Sequence, residues 1–261
     1  MKIRLGIGVE NIHPFDAFDS SYQSLLDRAT ALGYTLPSAP QQVLQNQLIL
    51  DLKSSGAWDK MDVFYMFANN GSSGFGRLNW KSPSNNEATI VGANLTWNAS
   101  GFVGGASSYL NTNFNPTTGT PNIQRDNACI GVWKRTHNTT TGRFLWGNSG
   151  ASSYAPSINA SDVRLHNNGG LNNTFGLSST GLLMLNRTGS TAITHSVNGT
   201  NTNATTSASV VPVSANYSVF TYGTVTASVY LGQLSCWFIG ASLVSETSAL
   251  YTALNTYIAT T

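Results

Sequence analysis

Apolar positions alternate over residues 2–9, "KIRLGIGV", where Ile3, Leu5, Ile7 and Val9 share one side against Lys2, Arg4, Gly6 and Gly8. That period of two predicts a terminal strand, stopped by the run "NIHPFDAF". From Ser20 the period lengthens. Tyr22, Leu25, Leu26, Ala29 and Leu32 fall on one helical face, and Gly33 offers the left-handed stop. After "YTLP", Ser38 and Gln41 have the spacing of a capping box, and Val43, Leu44, Leu48 and Leu52 form the apolar stripe of a second helix ending near Gly56.

Beyond "DVFYMFA" (62–68) the apolar runs shorten to strand length, separated by Asn, Gly, Ser and Thr clusters. "SSYLNTNF", "ACIGVWKR", "GRFLWG", "GLLMLNRT", "AITHSV", "YSVFTYG" and "CWFIGASL" are the main ones. Many short strands with regular turn signals predict an antiparallel sandwich. Asn198-Gly199 in "SVNGT" suits the type I′ turn of a two-residue hairpin. The closing stretch returns to helical spacing, with Ser245 as N-cap, Glu246 at the positive end of the dipole, and Leu250, Leu254, Tyr257 and Ile258 on one face. A helix of about 14 residues is marginal alone, so it must dock, and the helical pair at 20–55 has a face to offer.

Composition narrows the partners. The chain has 261 residues, of which 41% are hydrophobic and only 9% charged, so it can build a core and is not disordered over most of its length. A formal charge of +2 leaves no basic stripe for a nucleic acid. No run reaches the ~20 apolar residues of a membrane span, and the first residues lack the apolar stretch of a signal peptide, so neither membrane insertion nor export by that route is expected. Cys129 and Cys236 lie in apolar strand text and read as buried thiols, while the Asn-x-Ser/Thr triplets at Asn94, Asn98, Asn138, Asn159, Asn198 and Asn216 follow from composition.

Candidate chemistry is sparse. Glu10, Glu87 and Glu246 stand far apart in sequence, and no alternate-position Asp pair supplies the two carboxylates of a glycoside hydrolase. His13, His137, His166 and His195 have no metal-ligand spacing, and Asp126, Asn127 and Asp162 read as turn formers, so no cofactor and no metal is expected. Sugar recognition needs aromatic faces beside amides and hydroxyls. Trp146, Asn148 and Tyr154 in "FLWGNSGASSY" are the candidate cluster, whereas Trp80, Trp97, Trp133 and Trp237 read as core.

The text "GFVGGASSYLNTNFNP" (101–116), "LNRTGSTAITHSVNGT" (185–200) and "FIGASLVSETSALYTALNTYI" (238–258) resembles the concanavalin A-like, laminin-G-like jelly roll. Residues 24–68, together with "LNWKSP", resemble the variant of this domain found in virion structural proteins of tailed bacteriophages. The resemblance implies a mainly β fold, an antiparallel concanavalin A-like sandwich with an N-terminal helical hairpin and a C-terminal helix. With the terminal arm or strand at 1–18, the chain divides into that segment, a helical hairpin at 19–61 and a jelly roll with its terminal helix at 62–261. The resemblance implies a non-enzymatic capsid or tail appendage, assembled in the host cytoplasm into the virion beside other virion proteins; the terminal strand with Ile3, Leu5, Ile7 and Val9 either completes a sheet of its own domain or extends as an arm that attaches to a neighbouring virion protein. Edge strands would favour self-association into a homo-oligomer. The alternative function is binding of a host-surface glycan, with a glycoside hydrolase third.

Overall fold

The computed structural model describes residues 17–137, 143–150, 153–156, 163–171 and 175–261. The chain opens with helices α1 (Ser20–Ala31), α2 (Ala39–Ser54) and α3 (Ala57–Lys60), then strand β1 (Met61–Met66) and helix α4 (Ser73–Arg77). Four short strands follow: β2 (Thr89–Val91), β3 (Thr96–Asn98), β4 (Gly101–Val103) and β5 (Tyr109–Asn111). Next come β6 (Ala128–Lys134), β7 (Phe144–Asn148), β8 (Tyr154–Pro156), β9 (Gly181–Arg187), β10 (Ala192–Val197), β11 (Thr200–Thr205), β12 (Tyr217–Val219) and β13 (Gln233–Gly240). Helix α5 (Thr247–Ile258) closes the fold.

All strands pair antiparallel, in two sheets. The larger has the order β11-β10-β9-β6-β13-β4-β3, with β1 also paired to β13; the smaller runs β2-β5-β12-β7-β8. This is the mainly β sandwich that the short-strand pattern predicts. The hairpin at Asn198-Gly199 closes on Val197 and Thr200, with φ +48° and +85° at the two turn residues, as a type I′ turn requires.

The long strands are buried on both faces, which explains their unbroken apolar text. On β13, Trp237 and Ile239 enter the core between the sheets, with Val132, Leu185, Leu110 and Val219. Their neighbours Cys236 and Phe238 point the other way, into a second core under the helices with Leu25, Leu48, Leu52, Leu250 and Leu254. Successive side chains of a strand alternate between faces, so a strand with apolar residues at every position demands cover on both. The helices supply it, making three layers. Helix α5 packs against α2, and Gln45 accepts from the Tyr22 hydroxyl (2.7 Å) and donates to that of Tyr257 (2.8 Å), tying α1, α2 and α5 together.

Three local expectations are corrected. The stripe of α2 is not Val43, Leu44, Leu48 and Leu52: Val43 is 57% exposed and Leu44 38%, and the buried face is Gln41, Gln45, Leu48, Ile49 and Leu52. Gln41 faces inward because its Oε1 accepts the Asn70 backbone N–H at 2.6 Å. That bond also removes the capping box, since the Ser38 hydroxyl accepts from the Asn70 amide instead. At α5, Glu246 rather than Ser245 takes the N-cap position, held by Lys60 at 2.7 Å. Both cysteines are buried and free.

Lys134 is fully buried at the end of β6, where its ammonium donates to the Leu177 carbonyl, and burial pushes it down to about 8. A lysine with a depressed folded pKa is penalised while charged, so the penalty is full below about 8 and is relieved as pH rises toward the unfolded value of about 10.4. The unfolding free energy should therefore rise between pH 8 and 10. Lys81, also pushed down to about 8 by burial, adds to this rise. Urea midpoints at pH 7.5 and 9.5 should show the increase shrinking in Lys134→Met; an equal increase in both proteins would contradict the assignment.

Candidate functional site

The structure divides the trio Trp146, Asn148 and Tyr154. A bulge between Phe144 and Trp146 turns both Leu145 and Trp146 into the core, leaving Trp146 2% exposed, so its ring is no surface platform. Asn148, two residues on, is also fully buried, and among the described residues neither amide atom has a hydrogen-bond partner. Tyr154 lies opposite Gly147, away from Trp146, and packs with Phe144 (5.3 Å) and Tyr222 (5.8 Å) under the Arg164 guanidinium (4.9 Å). The cluster is self-packed, with Tyr154 itself 7% exposed.

Ile3, Leu5, Ile7 and Val9 lie outside the described residues, as do Glu10, His13, Asn138, Asn159 and Asp162. The described glutamates hold structural partners: Glu87 accepts from the Tyr34 hydroxyl (2.6 Å) beside Arg77 (3.1 Å), and Glu246 holds Lys60. Burial pushes the His166 imidazole down to about 4, and His195 is lowered too, packed against Phe175. Among the described residues no three His, Cys, Asp or Glu side chains gather as metal ligands, and no helix is long and apolar enough to cross a membrane.

A different place gathers aromatic and polar groups. Where β6 ends, β9 begins and the β10–β11 turn meets α5, an open cleft of about 310 Å³ forms. Trp133 and Tyr251 stack at its wall, centroids 5.9 Å apart and planes within 10°. The stack depends on local geometry at two turns. Gly199 lies so close to Tyr251 that a Cβ there would sit 3.1 Å from its ring. Asn198 fixes the start of β9, accepting from the Leu182 N–H (2.8 Å) and donating to the Thr180 carbonyl (3.0 Å).

Arg135 enters from just after β6. Its Nε donates to Ser235 Oγ (2.7 Å), and its Nη2 donates to the Ile258 carbonyl and to the main-chain oxygen of Thr261 (3.0 Å each), so it also caps the C-terminal end of α5. Among the described residues nothing bonds Nη1, nor the exposed side-chain amide of Asn255. The lining includes Lys134 and Arg135 but no carboxylate. Such a cleft offers a ring face for stacking and N–H donors for oxygen-rich ligands.

Sequence reasoning placed Trp133 in the core, where the structure also buries it, and passed over Tyr251. A signal for Tyr251 exists: it is a large aromatic one position off the Leu250, Leu254, Tyr257 stripe, so it cannot be buried with them. Nothing local links it to Arg135, more than a hundred residues earlier.

Fold and cleft together define an antiparallel β-sandwich of jelly-roll type with a helical layer and a rim cleft. No protein-family model matches the sequence, and no curated protein matches it. Among solved structures the fold is similar to domain 4 of a GH43 extracellular arabinanase from Geobacillus stearothermophilus in complex with arabinotriose, at 15% identity, 74% of this chain, 98% of that one and TM-score 0.44. It is similar also to Trypanosoma rangeli sialidase, at 10% identity, 83% of this chain and TM-score 0.45, the match spanning 39% of that enzyme. A third is the receptor binding domain of botulinum neurotoxin D, at 12% identity, 76% of this chain, 53% of that one and TM-score 0.40.

Proposed function

We propose that the chain is a non-enzymatic recognition module that binds a glycan in the cleft beside Tyr251, carried on the exterior of a tailed-phage virion. The observation behind this reading is the stacked Trp133–Tyr251 pair facing a cleft whose Arg135 Nη1 and Asn255 amide are unspent. A sugar ring has an apolar C–H face that stacks on an aromatic and hydroxyls that accept from such donors. The non-enzymatic part is supported by the engagement of Glu87 and Glu246 in structural ion pairs. Titration of the purified chain with an oligosaccharide panel tests the reading: saturable binding is expected, and no binding at millimolar sugar would overturn it.

A second reading, capsid or tail decoration through protein contacts, is favoured by α2. Val43, Leu44 and Leu50 are exposed there, at 57%, 38% and 39%, an apolar outer surface suited to a virion protein or a second copy. In either setting residues 1–18, with Ile3, Leu5, Ile7 and Val9, would form the attachment arm by adding a strand to a neighbouring virion protein. Deleting residues 1–18 should keep the chain out of assembled particles; normal incorporation would rule the arm out.

A further inference from the structure

Resting on the glycan reading of the cleft, we infer that its preferred ligand is a sugar bearing a carboxylate, of the uronic-acid kind. The geometry of Arg135 carries this. Two of its three guanidinium nitrogens are held by Ser235 Oγ, the Ile258 carbonyl and Thr261, which fixes the plane of the fork before any ligand arrives. The third, Nη1, has no partner among the described residues.

Arg135 also differs from Arg77 and Arg125. Arg77 sits 3.1 Å from Glu87 and Arg125 3.4 Å from Asp126, whereas no Asp or Glu side chain reaches Arg135. No Asp or Glu side chain lines the cleft. A pre-positioned guanidinium gains a charge-assisted hydrogen bond from a carboxylate oxygen, roughly twice as strong as the one a sugar hydroxyl gives. The stack of Tyr251 on Trp133 sets where the ring lies, and Asn255, one helical turn from Tyr251, borders the same space.

The test uses the full chain and paired oligosaccharides that differ only in charge: trigalacturonate and hyaluronan tetrasaccharide, each beside its carboxyl-reduced form. Calorimetric titration should show the acidic member binding at least tenfold more tightly than its reduced partner, the advantage shrinking as sodium chloride rises from 0.05 to 0.5 M. Asn255→Asp places a carboxylate on an exposed helical position in the cleft, and it should collapse the acidic-to-neutral ratio toward one. Equal binding of both members, or tight binding of neutral panel sugars alone, would overturn the acidic preference while leaving a glycan site standing. Absence of binding to every sugar would overturn the glycan reading with it.

Discussion

Trp237→Ala should lower the unfolding free energy by about 3–5 kcal/mol, the cost of emptying a large aromatic site that cannot collapse. The indole is fully buried at the middle of β13, and its ring stacks on Tyr65 (5.9 Å) and approaches Tyr217 (6.4 Å) across the gap between the sheets. It is therefore a strut of the sandwich, touching β1 in its own sheet and β12 in the other. Its Nε1 has no hydrogen-bond partner among the described residues, so truncation strands no polar group there, and the loss is one of contact and cavity. Because domains are stable by only about 5–15 kcal/mol, such a loss should move the urea midpoint far below that of the parent. A midpoint shift equivalent to under about 1 kcal/mol, at unchanged slope, would show that the two sheets do not lean on this residue.

The strands around Trp237 were legible because their burial is extreme. "ACIGVWK" and "QLSCWFIG" are apolar through nearly every position, and so are their burial patterns. What local text could not supply was the facing of positions decided by distant partners. Gln45 reads as a surface residue until Tyr22 and Tyr257 arrive to satisfy its amide; Val43 and Leu44 read as core until that face is filled. Trp146 reads as a strand-end platform, and one bulged residue turns it inward. The cleft was least legible of all. Trp133 comes from β6 and Arg135 from the residue just after it, Asn198 from a hairpin turn and Tyr251 from the closing helix, so only long-range packing, including the pairing of β6 with β9 and of β9 with β10, brings them together.

Tyr251→Ala should weaken sugar binding at least tenfold and leave the fold nearly intact. Tyr251 is half-buried on the outer flank of α5, while Leu250, Leu254 and Ile258 carry the helix's own core contacts. Losing one exposed-edge aromatic stack costs about 0.5–1.5 kcal/mol beyond the area lost, a shift the sandwich can absorb. The same loss in the cleft removes the more exposed ring of the Trp133–Tyr251 stack, since Trp133 behind it is only 8% exposed. Tyr251→Phe keeps the ring and should retain most of the affinity, which separates stacking from hydrogen bonding by the hydroxyl.

Calorimetric titration of the parent chain and Tyr251→Ala, side by side, with the tightest-binding sugar of a panel measures this directly. Saturable binding by the parent with a dissociation constant at least tenfold higher in the variant is the predicted result. Binding of equal strength in both proteins would place the sugar elsewhere on the molecule and contradict the cleft as its site.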